Sequence, residues 1–406
     1  MKNKITDLQH YFDDYYKNCK HNVDFSYRDW NEFRNKSLLS ERNILTEKIN
    51  KEFRKTFPSS VRNISDNVKI VASLRDLIDE IMKDVYILAD REALSFVSKV
   101  YNIQIQDYEI IYIDEIVNGE KLNSIVSDFK KSSYQKILAI GGGRTMDYAK
   151  FLSYVSNKTL IGIPSSLATH VYASPKIHAL EPIKELGFEL TIDGDPAHLV
   201  FIDTHLLNLL YKENKRLVYS GFGDIMAFIN ARRDWKYSAE NGNERYSKFV
   251  DDSITFIIDQ LVNIDINQAI TNWIADYIFI QCLLCHITDW VGSAPASGAE
   301  HLFAKCIEDE SENQIFHGEI VALGVLIFSY IRNKDISISK SLMRKFEITT
   351  DLANLGLSKN MIIDSLYNSQ FYGLKKRRYT IIQELDNSKE FYSFIVDRML
   401  EEGLLE

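Results

Sequence analysis

The chain has 406 residues, 45% of them hydrophobic, which is long enough for two domains with sizeable cores. Its 57 acidic and 48 basic residues give a net charge of −9, which excludes broad binding to nucleic acid or to an anionic membrane, where a basic face is needed. No run of about 18 apolar residues occurs, so no transmembrane helix is expected, and the polar start MKNKITDLQHYFDDYY does not read as a secretory signal.

Residues 1–65 are polar, aromatic and charged. Tyr11, Phe12, Tyr15 and Tyr16 form one helical stripe and Leu38 to Phe57 another, so a helical extension packed on the main body, or a partner-binding arm, is expected, with a break at Pro58-Ser59-Ser60. Residues 66–205 alternate in character. Val85 to Ala89, Ile110 to Ile113, Ile137 to Ile140, Leu160 to Ile163 and Leu199 to Ile202 read as strands. Ala93 to Tyr101, Leu122 to Phe129 and the stretch after Gly143 read as helices. That alternation predicts an α/β domain with a parallel sheet covered on both faces. Over 206–406 the strands stop, and seven apolar stretches between Leu206 and Phe346 predict an all-α domain.

The stretch KILAIGGGRTMDYAK, Lys136 to Lys150, is strand, glycine turn and helix start in succession. Glycines let a phosphate approach the main chain, and the helix N-terminus adds partial positive charge. Asp90, Gly141 to Gly143 and Pro164 to Ser166 all fall at carboxyl ends of predicted strands, where parallel sheets bind ligands. Asp90 suits either a ribose hydroxyl or the cap of the next helix. Cys282 and Cys285 lie in an apolar helical context, so packed thiols in a reducing cytoplasm are expected rather than a redox pair.

Three polar positions in the second half can do chemistry. Gly221-Phe222-Gly223-Asp224 places a carboxylate at the predicted start of a helix. Ser297-Gly298-Ala299-Glu300-His301 and Phe316-His317-Gly318-Glu319 each place an imidazole at a helix end, sixteen residues apart. One carboxylate and two imidazoles suffice for a divalent ion with an open position. Taken singly, a helix-end acid or a satisfied helix-end histidine is the more ordinary reading of each than a metal ligand.

Five segments, GGGRTMDYAK, IPSSLATHVYASP, GFGDIMAFINARRDW, GSAPASGAEH and FHGEIVALG, resemble the superfamily of iron-containing alcohol dehydrogenases, glycerol dehydrogenases and 3-dehydroquinate synthases. With Arg378-Tyr379-Thr380-Ile381 they are most similar to its sn-glycerol-1-phosphate dehydrogenase branch. The resemblance implies a Rossmann-like domain, a helical domain and an active site in the cleft between them. It implies NAD(P)H bound at Gly142, Gly143, Arg144, Thr145 and Met146, with Asp90 at the adenosine ribose and Ser165, Ser166, Thr169 and Ser174 near the nicotinamide. It also implies Asp224, His301 and His317 as ligands of a divalent metal, zinc first, nickel or iron next. The substrate is then a small phosphorylated ketone, and a cytoplasmic homo-oligomer, dimer or larger, is expected.

The chain departs from that pattern at three places. His170-Val171 stands where the family has Asp-Gly, which makes His170 a candidate for substrate binding or proton relay. Ala294 and Lys305 stand where the branch often has arginine and histidine. Lys305, one helical turn from His301, is either the phosphate partner or a solvated lysine. Two other readings compete: a dehydroquinate-synthase-like cyclase that uses NAD transiently, and a cofactor-binding protein without catalysis. Pro175-Lys176 and Asp224, where the cyclase branch has Gly-Gly-Lys and glutamate, disfavour the first.

Overall fold

The computed structural model describes residues 62–63 and 67–406, apart from 179, 189–190, 242–245, 247, 292, 312–314, 376–377 and 387. The aromatic stripes expected before residue 58 and the break at 58–60 lie outside the described residues. The chain divides into two compact units. One runs to Leu217 and takes in Asp265–Asp289; the other comprises Val218–Ile264 and Trp290–Glu406.

The first unit is built on a seven-stranded sheet. In chain order its strands are β1 (Arg62–Asn63), β2 (Val68–Val71), β3 (Val85–Ala89), β4 (Ile110–Tyr112), β5 (Lys136–Gly141), β6 (Thr159–Pro164) and β9 (Leu199–Asp203). The lateral order is β1-β2-β9-β6-β5-β3-β4, all parallel except β1 at the edge. Val85 to Ala89 are all buried, as are Ile137 to Gly141, so these strands read as continuous apolar runs instead of alternating ones. Helices α2 (Arg91–Tyr101), α3 (Gly119–Lys131) and α4 (Gly143–Ser156) follow β3, β4 and β5, after a single turn, α1 (Ile78–Ile81). Leu94, Val97 and Tyr101 of α2 pack with Ile87, Leu138, Ile140 and Ile163 in one apolar cluster.

The strand order reverses between β3 and β5. From β3 the chain leaves for β4 on one side and returns to β5 on the other. Such a switch point opens a crevice at the carboxyl ends of the two strands. There the Asp90 N–H donates to the Ile140 carbonyl at 3.0 Å, which sets Asp90 beside the glycine turn. All five expected strands are present. Four strands were not expected: β1, β2, and the small antiparallel ladder of β7 (Lys176–His178) with β8 (Thr191–Asp193). Each is too short to carry a periodic pattern.

The short α5 (Glu181–Glu185) lies between β7 and β8; after β9 come α6 (Thr204–Glu213), α7 (Arg216–Met226), α8 (Phe228–Glu240), α9 (Lys248–Asn263) and α10 (Ile270–Val291). Then follow α11 (Ala299–Glu310), α12 (His317–Ile331), α13 (Ile336–Lys345), α14 (Lys359–Lys375) and α15 (Lys389–Glu401). No strand occurs after Asp203 among the described residues. One expectation needs correcting. Asp224 does not open a helix; it lies in the last turn of α7, and Gly221-Phe222-Gly223 are helical. The glycines serve contact, not a turn: a Cβ on Gly223 would stand 2.1 Å from the Gly318 carbonyl oxygen. The α7 and α12 backbones touch there because neither carries a side chain.

Candidate active site

In the first unit the glycine turn is ready for an anion. The first helical bond of α4 runs from Met146 N–H to Gly142 O at 3.1 Å, and no side chain caps Gly142. The N–H groups of the first turn are thus left without an intrahelical partner, at the positive end of the helix. Thr145 and Met146 are buried beneath, while Arg144 is exposed. A Cβ on Gly141 would fall 2.2 Å from the Thr145 hydroxyl, so the turn folds tightly onto its own helix. Asp90 caps α2, its Oδ1 accepting from Ala93 N–H at 2.9 Å.

The loop after β6 carries Ser165, Ser166, Thr169, His170 and Ser174, all half-buried. Ser165 N–H donates to Gly141 O at 3.1 Å, and the Ser166 hydroxyl is 3.9 Å from where a Gly142 Cβ would sit. The structure therefore brings this loop onto the glycine turn. The loop's short helical turn, Val171–Ala173, is held from within the first unit at the residue before it and at its middle residue. The Cys285 thiol donates to His170 O at 3.3 Å, and the Tyr172 hydroxyl donates to Gln281 Oε1 at 2.5 Å. Cys282, Cys285 and Cys306 are buried thiols held in no disulfide, as expected for packed thiols.

In the second unit Asp224, His301 and His317 converge. One ligand atom from each lies within 4.8 Å of the others. His301 Nε2 is 3.3 Å and His317 Nε2 is 3.7 Å from Asp224 Oδ1. Asp224 is buried, and the two imidazoles are partly exposed. Each ring is oriented from behind by its own acid: Glu300 Oε1 is 3.0 Å from His301 Nδ1, and Glu308 Oε1 is 2.5 Å from His317 Nδ1. A carboxylate accepts, so each Nδ1 carries the proton and each Nε2 is the face presented to Asp224. This is the outer arrangement that metal-binding histidines need, and the donor set fits a divalent cation.

Further acids fix the scaffold. Glu300 is fully buried and also accepts from Gly298 N–H at 2.7 Å. Asp234, equally buried, accepts from Ala299 N–H at 2.8 Å and from Ile381 N–H at 2.8 Å, and pairs with Arg332. Burial pushes the Asp234 carboxyl above its usual range against the opposing pull of Arg332. It caps α11 two residues before His301. Burial also works against the Glu308 carboxylate, yet its bond to His317 holds it below the usual range. Glu300, Glu308 and Asp234 were not expected from sequence; nothing in their spacing separates them from ordinary helix-surface acids. Lys305 is paired with Asp309 at 2.6 Å.

A parallel sheet with an anion-ready glycine turn at its switch point, in one chain with a carboxylate–imidazole–imidazole cluster, defines a nucleotide-dependent oxidoreductase with a metal centre. The sequence model for iron-containing alcohol dehydrogenase matches residues 65–208. A glycerol-1-phosphate dehydrogenase [NAD(P)+] of Pyrobaculum islandicum is 31% identical over 264 residues, covering 63% of this chain and 75% of that protein. The enzyme of the same name from Archaeoglobus fulgidus is 26% identical over 355 residues, 84% of this chain and 93% of that protein. Among solved structures, a probable glycerol dehydrogenase from Sinorhizobium meliloti superposes with TM-score 0.60 at 14% identity, covering 82% of this chain and 96% of the other. At that identity the likeness is one of fold. The chain belongs to the iron-containing alcohol dehydrogenase family, and it is an NAD(P)-dependent, metal-containing oxidoreductase. No described helix is long and apolar enough to cross a membrane.

Proposed function

We propose that the chain reduces a small phosphorylated ketone, dihydroxyacetone phosphate, to sn-glycerol 1-phosphate with NADH or NADPH. The supporting observation is the convergence of Asp224, His301 and His317, each imidazole backed by its own carboxylate. The names of the relatives that span most of this chain point the same way. Asp224, His301 and His317 would hold the metal, zinc by preference, since one carboxylate and two imidazoles suit it with an open position for substrate. When bound, the ion supplies Lewis-acid polarisation of a carbonyl oxygen and the reduced nicotinamide supplies the hydride.

The chain's own residues do the rest. Glu300 and Glu308 hold both rings in one tautomer. Gly142, Gly143, Arg144 and Thr145 offer N–H groups to the cofactor's phosphates, Met146, whose own N–H is bonded to Gly142 O, packs beneath them, and Asp90 Oδ2, not needed for the helix cap, is offered to the adenosine ribose. A carboxylate there repels a 2′-phosphate, which favours NADH. Ser165, Ser166, Thr169 and Ser174 line the path towards the nicotinamide. Lys305 carries a charge for the substrate phosphate once Asp309 gives way.

His170 is the group we assign to hold or move the proton that the new hydroxyl requires. His170→Ala is expected to lower turnover by about a hundredfold and to change the pH profile; unchanged turnover with an unchanged profile removes His170 from the reaction. The overall reading is tested by mixing the protein with zinc, dihydroxyacetone phosphate and either reduced cofactor. Net loss of cofactor absorbance is expected, faster with NADH. Product without net cofactor change would instead identify a cyclase, and neither change would identify a binding protein.

A further inference from the structure

The DYAK stretch in the middle of the glycine-turn helix contains a buried cation that the proposed reaction does not use. Lys150 is 2% exposed. Its Nζ donates to Val171 O at 3.1 Å, to Ser174 O at 3.3 Å and to Lys176 O at 2.5 Å. It also lies 3.2 Å from Asp147 Oδ1, one turn earlier on α4. Asp147 in turn accepts from His178 N–H at 3.1 Å, at the far end of the same segment. An ammonium has three donors and no acceptor, and burying it without partners is costly. Here the partners are main-chain carbonyls of a single six-residue stretch, which curls round the ammonium as a chain curls round a bound cation.

The first half of the loop is pinned differently. Leu167 O accepts from the Tyr277 hydroxyl at 3.0 Å and from Gln281 Nε2 at 3.2 Å. Helix α10 thus holds the loop up to Tyr172, and Lys150 holds it from Val171 to Lys176. Lys150 sits two turns along the helix whose first turn is the anion-ready glycine turn. One rigid rod therefore carries both the N–H groups at its start and the ammonium that gathers the loop.

We propose that Lys150 is a positioning residue: through its ammonium, α4 sets the spacing between the glycine turn and the loop of Ser165 to Ser174, and so the shape of the cofactor path. This rests on the reading that those two segments receive the dinucleotide. It predicts an effect on cofactor binding that a merely stabilising ion pair would not produce.

The test uses the full chain and two variants. Lys150→Ala should weaken NADH binding, followed by cofactor fluorescence, by about tenfold or more, since small misplacements of such loops are amplified. Propylammonium should restore part of that loss, and propanol should not. Asp147→Asn/Lys150→Met removes both charges while keeping shape, and serves if the alanine variant does not fold. In either variant, hydrogen exchange at the amides of residues 171–174 and 176 should speed up while that of β5 is unchanged. NADH bound as tightly as by the wild type, recovery with propanol equal to that with propylammonium, or unaltered exchange at those amides would each overturn the proposal. A wild-type chain that binds no NADH would instead overturn the functional reading, and the exchange measurement separates the two.

Discussion

Replacing Asp224 by asparagine is expected to remove the bound metal and with it the ketone reduction. Loss of a partner behind a metal ligand alone costs about 10–100-fold in affinity or activity, so loss of a ligand should exceed that. The readouts are metal content after dialysis and turnover; a variant that keeps both would sink the metal assignment. A second readout follows from the chain without metal. Burial pulls the His301 imidazole down, but its bonds to Asp224 and Glu300 outweigh this and push it up to about 9. Below that pH a proton sits where a cation would, and metal must displace it. Metal affinity should therefore fall as pH drops below about 9, approaching tenfold per unit. The sign for stability is the reverse. A raised histidine stabilises the fold fully below its ordinary value of 6.5, and the contribution is lost as pH rises through about 9. Chelator-treated wild type should lose thermal stability over that window. Asp224→Asn, which deprives His301 of one of its two acids, should lose less.

The same cluster marks where sequence reasoning reaches and where it stops. The strands were legible because a parallel sheet buries both faces, and short apolar runs bounded by turn residues, such as Ile137 to Ile140, are the trace such strands leave. The glycine turn was legible because its neighbours change period from strand to helix. His301 and His317 stood out because imidazoles are few, nine in the whole chain. Their convergence on Asp224 came from resemblance, since spacing alone does not tell which helix faces return to one point. Glu300, Glu308 and Asp234 were hidden for another reason. Acids on helices are usually solvated, and only tertiary packing distinguishes Glu300, fully buried behind His301, Glu308, bonded to His317, and Asp234, buried at the start of α11. Lys150 is the same case with the opposite charge. The final two helices escaped because Lys359–Lys375 and Lys389–Glu401 mix polar and apolar residues with weak periodicity.

Gly318→Ala is expected to be among the most damaging single-methyl substitutions in the chain. Gly318 follows His317 directly, in the first turn of α12. A Cβ there would stand 1.7 Å from Ser220 O and 3.0 Å from Asp224 N, both main-chain atoms of α7. No rotamer change relieves a clash with backbone, so α12 must move away from α7. The neighbours make that movement costly. Val218 to Met226 are all buried on one side, and Gly318 to Ser329 on the other. Overpacking of this kind costs about 1–3 kcal/mol and occasionally more, and a clash between two backbones belongs at the upper end. The displacement also acts on chemistry, because the two helices carry Asp224 and His317, whose ligand atoms are 3.7 Å apart. Stability and metal affinity should fall together in Gly318→Ala. Glu308→Gln, which removes only the acid behind His317, should weaken metal by about 10–100-fold with little change in thermal midpoint. Circular dichroism melting of metal-free protein, set beside metal titration, separates the two. A Gly318→Ala chain that melts as the wild type does and binds metal equally well would mean that the α7–α12 contact does not fix the ligand spacing.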